Sequence, residues 1–208
     1  MSNIRGHFIS FEGGEGAGKS TLIHKVGDRL RTEGKEVVTT HEPGGTALAG
    51  EIRKILLEKP KICPKAELLL FLAARAEHVD EVIEPSIKKG KIVLCDRFQD
   101  STVAYQGYAR HLGIIETMRL SEYSSNQIVP DLTIYLDIPP EIGLERAKRT
   151  LKKEKSDRME AEDLEFHEKV RKGFLTLADL FPRRIRVLDA RLSPDVIFEQ
   201  TMKLISSL

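Results

Sequence analysis

Along the chain, short apolar runs alternate with stretches in which apolar side chains return every three or four positions, as buried strands alternate with amphipathic helices. Phe8-Ile9-Ser10-Phe11 is the first such run, and it feeds a glycine-rich turn. Beyond the turn, Leu22, Val26 and Leu30 predict a helix over Thr21–Thr32 that Gly34 ends. Val37-Val38-Thr39-Thr40 reads as a β-branched strand, so strand, turn, helix and strand make a βαβ unit, the start of a parallel sheet. A helix bearing Ile52, Ile55 and Leu56 follows. A long helical pattern then runs from Lys65 to about Lys89, with Leu68, Leu72, Ala76, Val79, Ile83 and Ile87 as its apolar stripe and Pro85 expected to kink or break it. Lys91–Phe98 is a strand, apolar through its middle. The segment from Gln99 to Gly107 is polar, about Gly113–Gln127 is helical and Leu132–Leu136 is a strand. Helices over Glu141–Leu151 and about Glu162–Leu180, a strand at Ile185–Leu188 and a helix over about Pro194–Leu204 complete an α/β pattern.

The glycine-rich turn carries chemistry. Gly13-Gly14-Glu15-Gly16-Ala17-Gly18-Lys19-Ser20-Thr21 matches G-x-x-x-x-G-K-[ST], with a strand before it and a helix after. A triphosphate must be held by many backbone N–H groups at once, and glycines let the main chain curl around it. Lys19 is then expected on the β- and γ-phosphate oxygens and Ser20 on Mg²⁺, with the helix pointing its positive end at the anion. By itself the loop says only that a nucleoside triphosphate binds.

In open parallel sheets ligands bind at the carboxyl ends of strands, which brings Glu42 and Arg53 near the same crevice, although Arg53 also fits as a solvated helix charge. Phe71 and Arg75 stand one helical turn apart on the flank of the long stripe. They suit a planar base stacked on the ring and hydrogen-bonded by the guanidinium, and equally a core Phe beside a surface Arg. Asp96 ends its strand where a carboxylate can reach the Mg²⁺ shell, and Arg97 follows directly. The most charged stretch, Arg146 to Glu160, is either a solvated loop or a lid that brings Arg149 and Arg158 over the phosphates.

Composition narrows the setting. A chain of 208 residues with no compositional break fits one domain, and 33 basic against 32 acidic side chains leave no global field for nucleic acid or an anionic membrane. Cys63 and Cys95 form no C-x-x-C and lack the density of a secreted disulfide scaffold. With no basic leader ahead of a long apolar stretch and no membrane-spanning run, a cytoplasmic protein is expected.

The string Asp96-Arg97-Phe98-Gln99-Asp100-Ser101-Thr102-Val103-Ala104-Tyr105-Gln106-Gly107 closely resembles the D-R-[YFH]-x-x-S-x-x-A-Y-Q-G signature of bacterial thymidylate kinases. Phe11-Glu12-Gly13, Glu42-Pro43-Gly44-Gly45-Thr46, Phe71 through Arg75 and Asp131 through Pro140 stand in that family's order. The resemblance implies a P-loop NTPase fold, with a five-stranded parallel sheet flanked by helices and a small lid at about residues 146–160, in a homodimer. It implies transfer of the γ-phosphoryl of ATP to dTMP with Mg²⁺, a step toward dTTP. Arg97 and Arg53 would bind the monophosphate, Phe71 would stack on thymine and Arg75 would bond its O4. Thr102 and Gln106 would lie near base and sugar, with Glu42 and Ser101 in the same acceptor set. Tyr105 would sit under the deoxyribose where a 2′-hydroxyl collides, and Glu15 near the 3′-hydroxyl and the metal shell. A cis Glu42–Pro43 peptide is implied as well. Eukaryotic members carry an arginine in the loop where this chain has Gly16, so the transition-state charge falls to Arg149, Arg158 or both.

Other readings make different demands. A regulatory GTPase needs an N-K-x-D motif, and the chain has none. An AMP or CMP kinase would keep loop, lid and arginines but replace Phe71, Arg75 and Thr102. A non-catalytic nucleotide-binding module could dispense with the charged lid and with Arg97.

Overall fold

Five parallel strands, β1 (Phe8–Gly13), β2 (Val37–His41), β3 (Ile92–Asp96), β4 (Leu132–Asp137) and β5 (Ile185–Asp189), form one sheet of order β2-β3-β1-β4-β5. The structure is a computed structural model describing residues 5–59, 61–150 and 158–208; residues 151–157, the middle of the expected lid, lie outside the described residues. β1 is central and buried throughout, which is why its run is apolar rather than alternating. Its side chains still divide by parity. Ile9 and Phe11 pack with α1 (Lys19–Thr32) and α9 (Pro194–Ile205), while Phe8 faces the opposite layer with Val79, Ile83 and Ile87. That second layer also holds α8 (Leu164–Leu180), whose Val170, Phe174 and Leu177 pack on Tyr135 and Ile185. Each such buried side chain contributes about 1.5–3 kcal/mol.

Two local expectations change. The long helical pattern is α3 (Pro64–His78), a π-helical turn at Val79–Ile83, and α4 (Glu84–Lys88). Pro85 has no N–H and crowds the carbonyl four residues before it, and the widened turn just upstream accommodates this without ending the helical course. The buried line on α3 runs through Leu68, Leu72 and Arg75, whereas Ala76 is exposed. α3 buries a second face as well, placing Ala74 against Ala49, Ile52 and Leu56 of α2 (Ala47–Glu58).

The polar segment after β3 is helical and mostly buried, as α5 (Gln99–Thr102) continuing through a π-helical stretch at Val103–Ala109. Val103, Ala104 and Ala109 pack in the cluster with α8, while Ser101, Thr102, Tyr105 and Gln106 line the crevice at the carboxyl ends of β1, β2 and β3. α6 (Ile114–Ser124) follows it, and α7 (Pro140–Thr150) leads from β4.

Candidate active site

The loop between β1 and α1 is shaped by its glycines. Gly18, at φ 94°, caps α1 without a side-chain acceptor, so the first-turn N–H groups are left for an anion. Lys19 Nζ folds over the loop and donates to Gly13 O (3.1 Å) and Gly14 O (3.0 Å). Burial, with Arg97 adding to it, pushes the Lys19 ammonium below its ordinary pKa. Ser20 Oγ donates to Asp96 Oδ2 at 2.9 Å, joining the start of α1 to the end of β3.

Gly16 explains a departure noted in the sequence. A Cβ there would lie 2.0 Å from Gly143 O of α7, and a Cβ on Gly143 would lie 2.4 Å from Glu15 O. Loop and helix meet backbone to backbone. An arginine at position 16 has no room while α7 stands where it does.

Arg97 takes a left-handed backbone, φ 68°, uncommon for a residue with a Cβ. The turn aims its guanidinium back over the loop, with Nη2 2.6 Å from Glu15 Oε1, Nη1 donating to Ser101 Oγ at 3.2 Å, and the Tyr105 ring 5.2 Å away. Burial alone would raise the Glu15 carboxyl, but Arg97 and Lys19 outweigh it and hold it ionised, below its ordinary pKa.

On the other flank Arg75 is almost fully buried, which excludes the surface-charge alternative. Its Nε and Nη2 donate to Glu42 Oε2 at 2.9 and 2.7 Å, Nη2 also reaches Thr102 Oγ1 at 2.9 Å, and the Phe98 ring lies 4.8 Å away. His78 Nδ1 lies 3.0 Å from Glu42 Oε1 and its Nε2 is hydrogen-bonded with Thr40 Oγ1 at 2.6 Å. Burial would raise the Glu42 pKa; Arg75 and His78 more than reverse this and hold it low. The Glu42–Pro43 peptide is cis, as the resemblance implied, and Arg53 Nη1 donates to Pro43 O at 2.9 Å.

These side chains share one cavity of about 890 Å³. Glu15, Gly16, Gly18, Lys19, Ser20 and Thr21 line one end, and Asp96 and Arg97 the middle. Glu42, Arg53, Phe71, Arg75, Ser101, Thr102, Tyr105 and Gln106 line the other end. Ala17 turns its methyl into the core instead. Arg149 of α7 lines the cavity, exposed and paired with Glu145 at 2.6 Å.

Arg158 does not line the cavity. Its Nε donates to Leu56 O at 2.9 Å and its Nη1 lies 2.6 Å from Glu67 Oε2, so it closes the C-terminal end of α2. Glu67, fully buried, also accepts from Gln106 Nε2 at 2.8 Å and Arg110 Nε at 3.4 Å. The sequence reading missed Glu67, Glu12 and His78. Glu67, Phe71, Arg75 and His78 recur at helical spacing, a sign that this face of α3 looks onto the crevice.

Known proteins resemble this chain in sequence and in fold. Residues 11–201 match the family model described as thymidylate kinase. A thymidylate kinase of Protochlamydia amoebophila (strain UWE25) is 46% identical over 209 residues, covering 97% of this chain and 93% of that one. One from Geobacillus sp. (strain WCH70) is 47% identical over 201 residues, 96% of this chain and 95% of its own length. The crystal structure of thymidylate kinase from Ehrlichia chaffeensis superposes with a TM-score of 0.78 at 32% identity, covering 97% of this chain and 99% of that one.

Proposed function

The chain belongs to the thymidylate kinase family, and we propose that its cavity transfers the γ-phosphoryl of ATP to dTMP, giving dTDP and ADP, through the residues that follow. The observation that carries this reading is one cleft in which a phosphate loop and a base-sized pocket face each other across Arg97.

ATP takes the loop end, with Lys19 leaving its carbonyl partners for the β- and γ-phosphate oxygens. The acceptor takes the other end. Arg97 and Arg53 bind its phosphate and Phe71 stacks on the base. Arg75 Nη1, buried with no partner of its own among the described residues, donates to thymine O4. Thr102 and Gln106 border base and sugar, with Tyr105 under the deoxyribose and Glu15 near the 3′-hydroxyl. Ser20 Oγ and Asp96 Oδ2, hard oxygens already side by side, suit Mg²⁺, which when bound neutralises charge on the ATP oxygens. The attacking phosphate oxygen is ionised near neutral pH, so no general base is needed. Positioning and fixed positive charge carry the in-line transfer. Arg149 is the lid arginine placed to join them, and Arg158 instead anchors the far side of the lid segment.

The whole chain, residues 1–208, acts as one kinase domain. Exposed Leu69, Ile115 and Tyr123, on packed helices α3 and α6, support a homodimer through that face. Two unpaired cysteines suit the cytoplasm, and among the described residues no helix is long and apolar enough to cross a membrane. A coupled ADP-release assay with ATP, Mg²⁺ and a panel of nucleoside monophosphates tests the function. dTMP is expected to lead, and AMP or CMP ranking above it would overturn the reading in favour of another monophosphate kinase.

A further inference from the structure

Glu12 is the last carboxylate of β1, fully buried beneath the cleft, and it takes no part in the roles above. Both of its oxygens are engaged at the Arg97 turn. Oε1 accepts from Phe98 N at 2.8 Å, the peptide that follows the left-handed residue, and Oε2 accepts from Ser101 Oγ at 2.5 Å. Ser101 Oγ in turn accepts from Arg97 Nη1 at 3.2 Å, while Phe11 O, next to Glu12, accepts from Arg97 N at 2.9 Å. The end of β1 therefore grips Arg97 at its backbone on both sides and at its side chain through one hydroxyl.

We propose that Glu12 is a positioning residue for the acceptor phosphate, orienting the Arg97 guanidinium through Phe98 N and Ser101 Oγ, and that its ionisation sets how well that guanidinium is presented. The inference rests on the assignment of Arg97 to the acceptor phosphate. Ser101 has a single hydroxyl proton. When Glu12 is ionised the proton goes to Glu12 and a lone pair is free for Arg97. When Glu12 is protonated its own O–H must point at Ser101, because Phe98 N–H can only donate. The Ser101 proton then loses its carboxylate acceptor, and Oγ, now accepting from Glu12 as well as from Arg97, is a weaker acceptor for the guanidinium.

The charged and titratable groups facing Glu12 are Asp100 on α5, Arg97 after β3, Cys95 on β3, Lys19 on α1 and Arg184 before β5. Arg184 is already committed to Asp100 by a two-pronged pair at 2.6 and 2.8 Å. Burial first, and the Asp100 charge second, push the Glu12 carboxyl up to about 8, within reach of neutral pH.

The test compares binding of dTMP with binding of thymidine, which lacks the phosphate, to the full chain at about pH 7 and about pH 9, above the phosphate's own second ionisation near 6. Wild type is expected to gain roughly tenfold in dTMP affinity relative to thymidine across that interval. Glu12→Gln, whose carboxamide imitates the protonated acid, is expected to stay at the low-pH ratio throughout. Ser101→Ala, which leaves the buried acid in place, is expected to flatten the profile too and decides the matter if Glu12→Gln does not fold. Turnover at saturating dTMP should change less than KM. A dTMP-to-thymidine ratio that follows the wild-type profile in these variants overturns the role of Glu12. Equal binding of dTMP and thymidine by wild type would instead remove Arg97 from the acceptor phosphate.

Discussion

Arg75 has two duties in the structure, and a perturbation can separate them. Arg75→Met removes the charge while keeping most of the side-chain volume. Glu42 Oε2 then loses both guanidinium N–H groups, at 2.9 and 2.7 Å, and only His78 remains on its other oxygen. Stripping one partner from a buried pair costs about 3–5 kcal/mol, against the ~5–15 kcal/mol that holds a typical domain together. Glu42→Gln should cost a similar amount, and the double variant less than the sum, because each single change strands the other's polar group. The second duty is base reading. Thymine O4 accepts a hydrogen bond where cytosine offers an amino group, so losing Arg75 should narrow the dTMP-to-dCMP preference by roughly 10- to 150-fold, equivalent to ~1.5–3 kcal/mol. Urea unfolding reads the first effect, and kcat/KM for the two acceptors, measured where the variant stays folded, reads the second. Phe71→Ala should weaken both acceptors alike. An Arg75→Met within about 1 kcal/mol of wild type would refute the buried pair, and an unchanged acceptor ratio would refute the base contact.

Lys19→Ala should leave unfolding unchanged to within about 1 kcal/mol while kcat falls by at least roughly 10², and a folded variant with normal turnover would exclude phosphate-loop catalysis. Arg149→Ala should lower kcat by about 10³ or more with little effect on dTMP binding. Arg158→Ala should instead lower stability by about 1.5–3 kcal/mol through its contacts with Glu67 and Leu56, so kinetics and melting on the pair distinguish the two arginines. Glu12, raised from 4.5 to about 8, keeps a proton in the fold that the unfolded chain has lost. Its contribution is complete below the ordinary value and is lost as pH rises through about 8. His41 and His167 are lowered from 6.5 and act oppositely, but only below that pH. Between about pH 6.5 and 8, stability should therefore fall with a slope approaching ~1.4 kcal/mol per unit. Chemical denaturation across that window should show this slope in wild type and lose it in Glu12→Gln.

The sheet and the loop were legible in the sequence because their information is local: β-branched runs, helical spacing and glycines at fixed offsets. Arg75 was not. A base contact and a surface charge both fitted it, because the acid that neutralises it, Glu42, arrives from the end of a different strand. Gln99 to Gly107 read only as a polar segment, with no element assigned, because the apolar surface that orders it comes from α8, far along the chain. Arg158 sits in a charged run that resembles a phosphate-seeking lid, and only the fold brings Glu67 and the end of α2 to it. The residues proposed to contact substrate could be named from their motif. The acids beneath them, Glu12, Glu42 and Glu67, lie outside that string and take their meaning from partners that only the fold brings to them.

The contact between Gly16 and Gly143 bears on how kinases of this kind diverge. A Cβ at position 16 would sit 2.0 Å from a helix carbonyl, so the first atom of any replacement already collides, before its charge can matter. An arginine therefore cannot be placed in the loop at position 16 by one codon change while α7 keeps its place. The helix must first move away, and that same helix carries Arg149. In this fold a side chain at position 16 and α7 in its present place exclude one another.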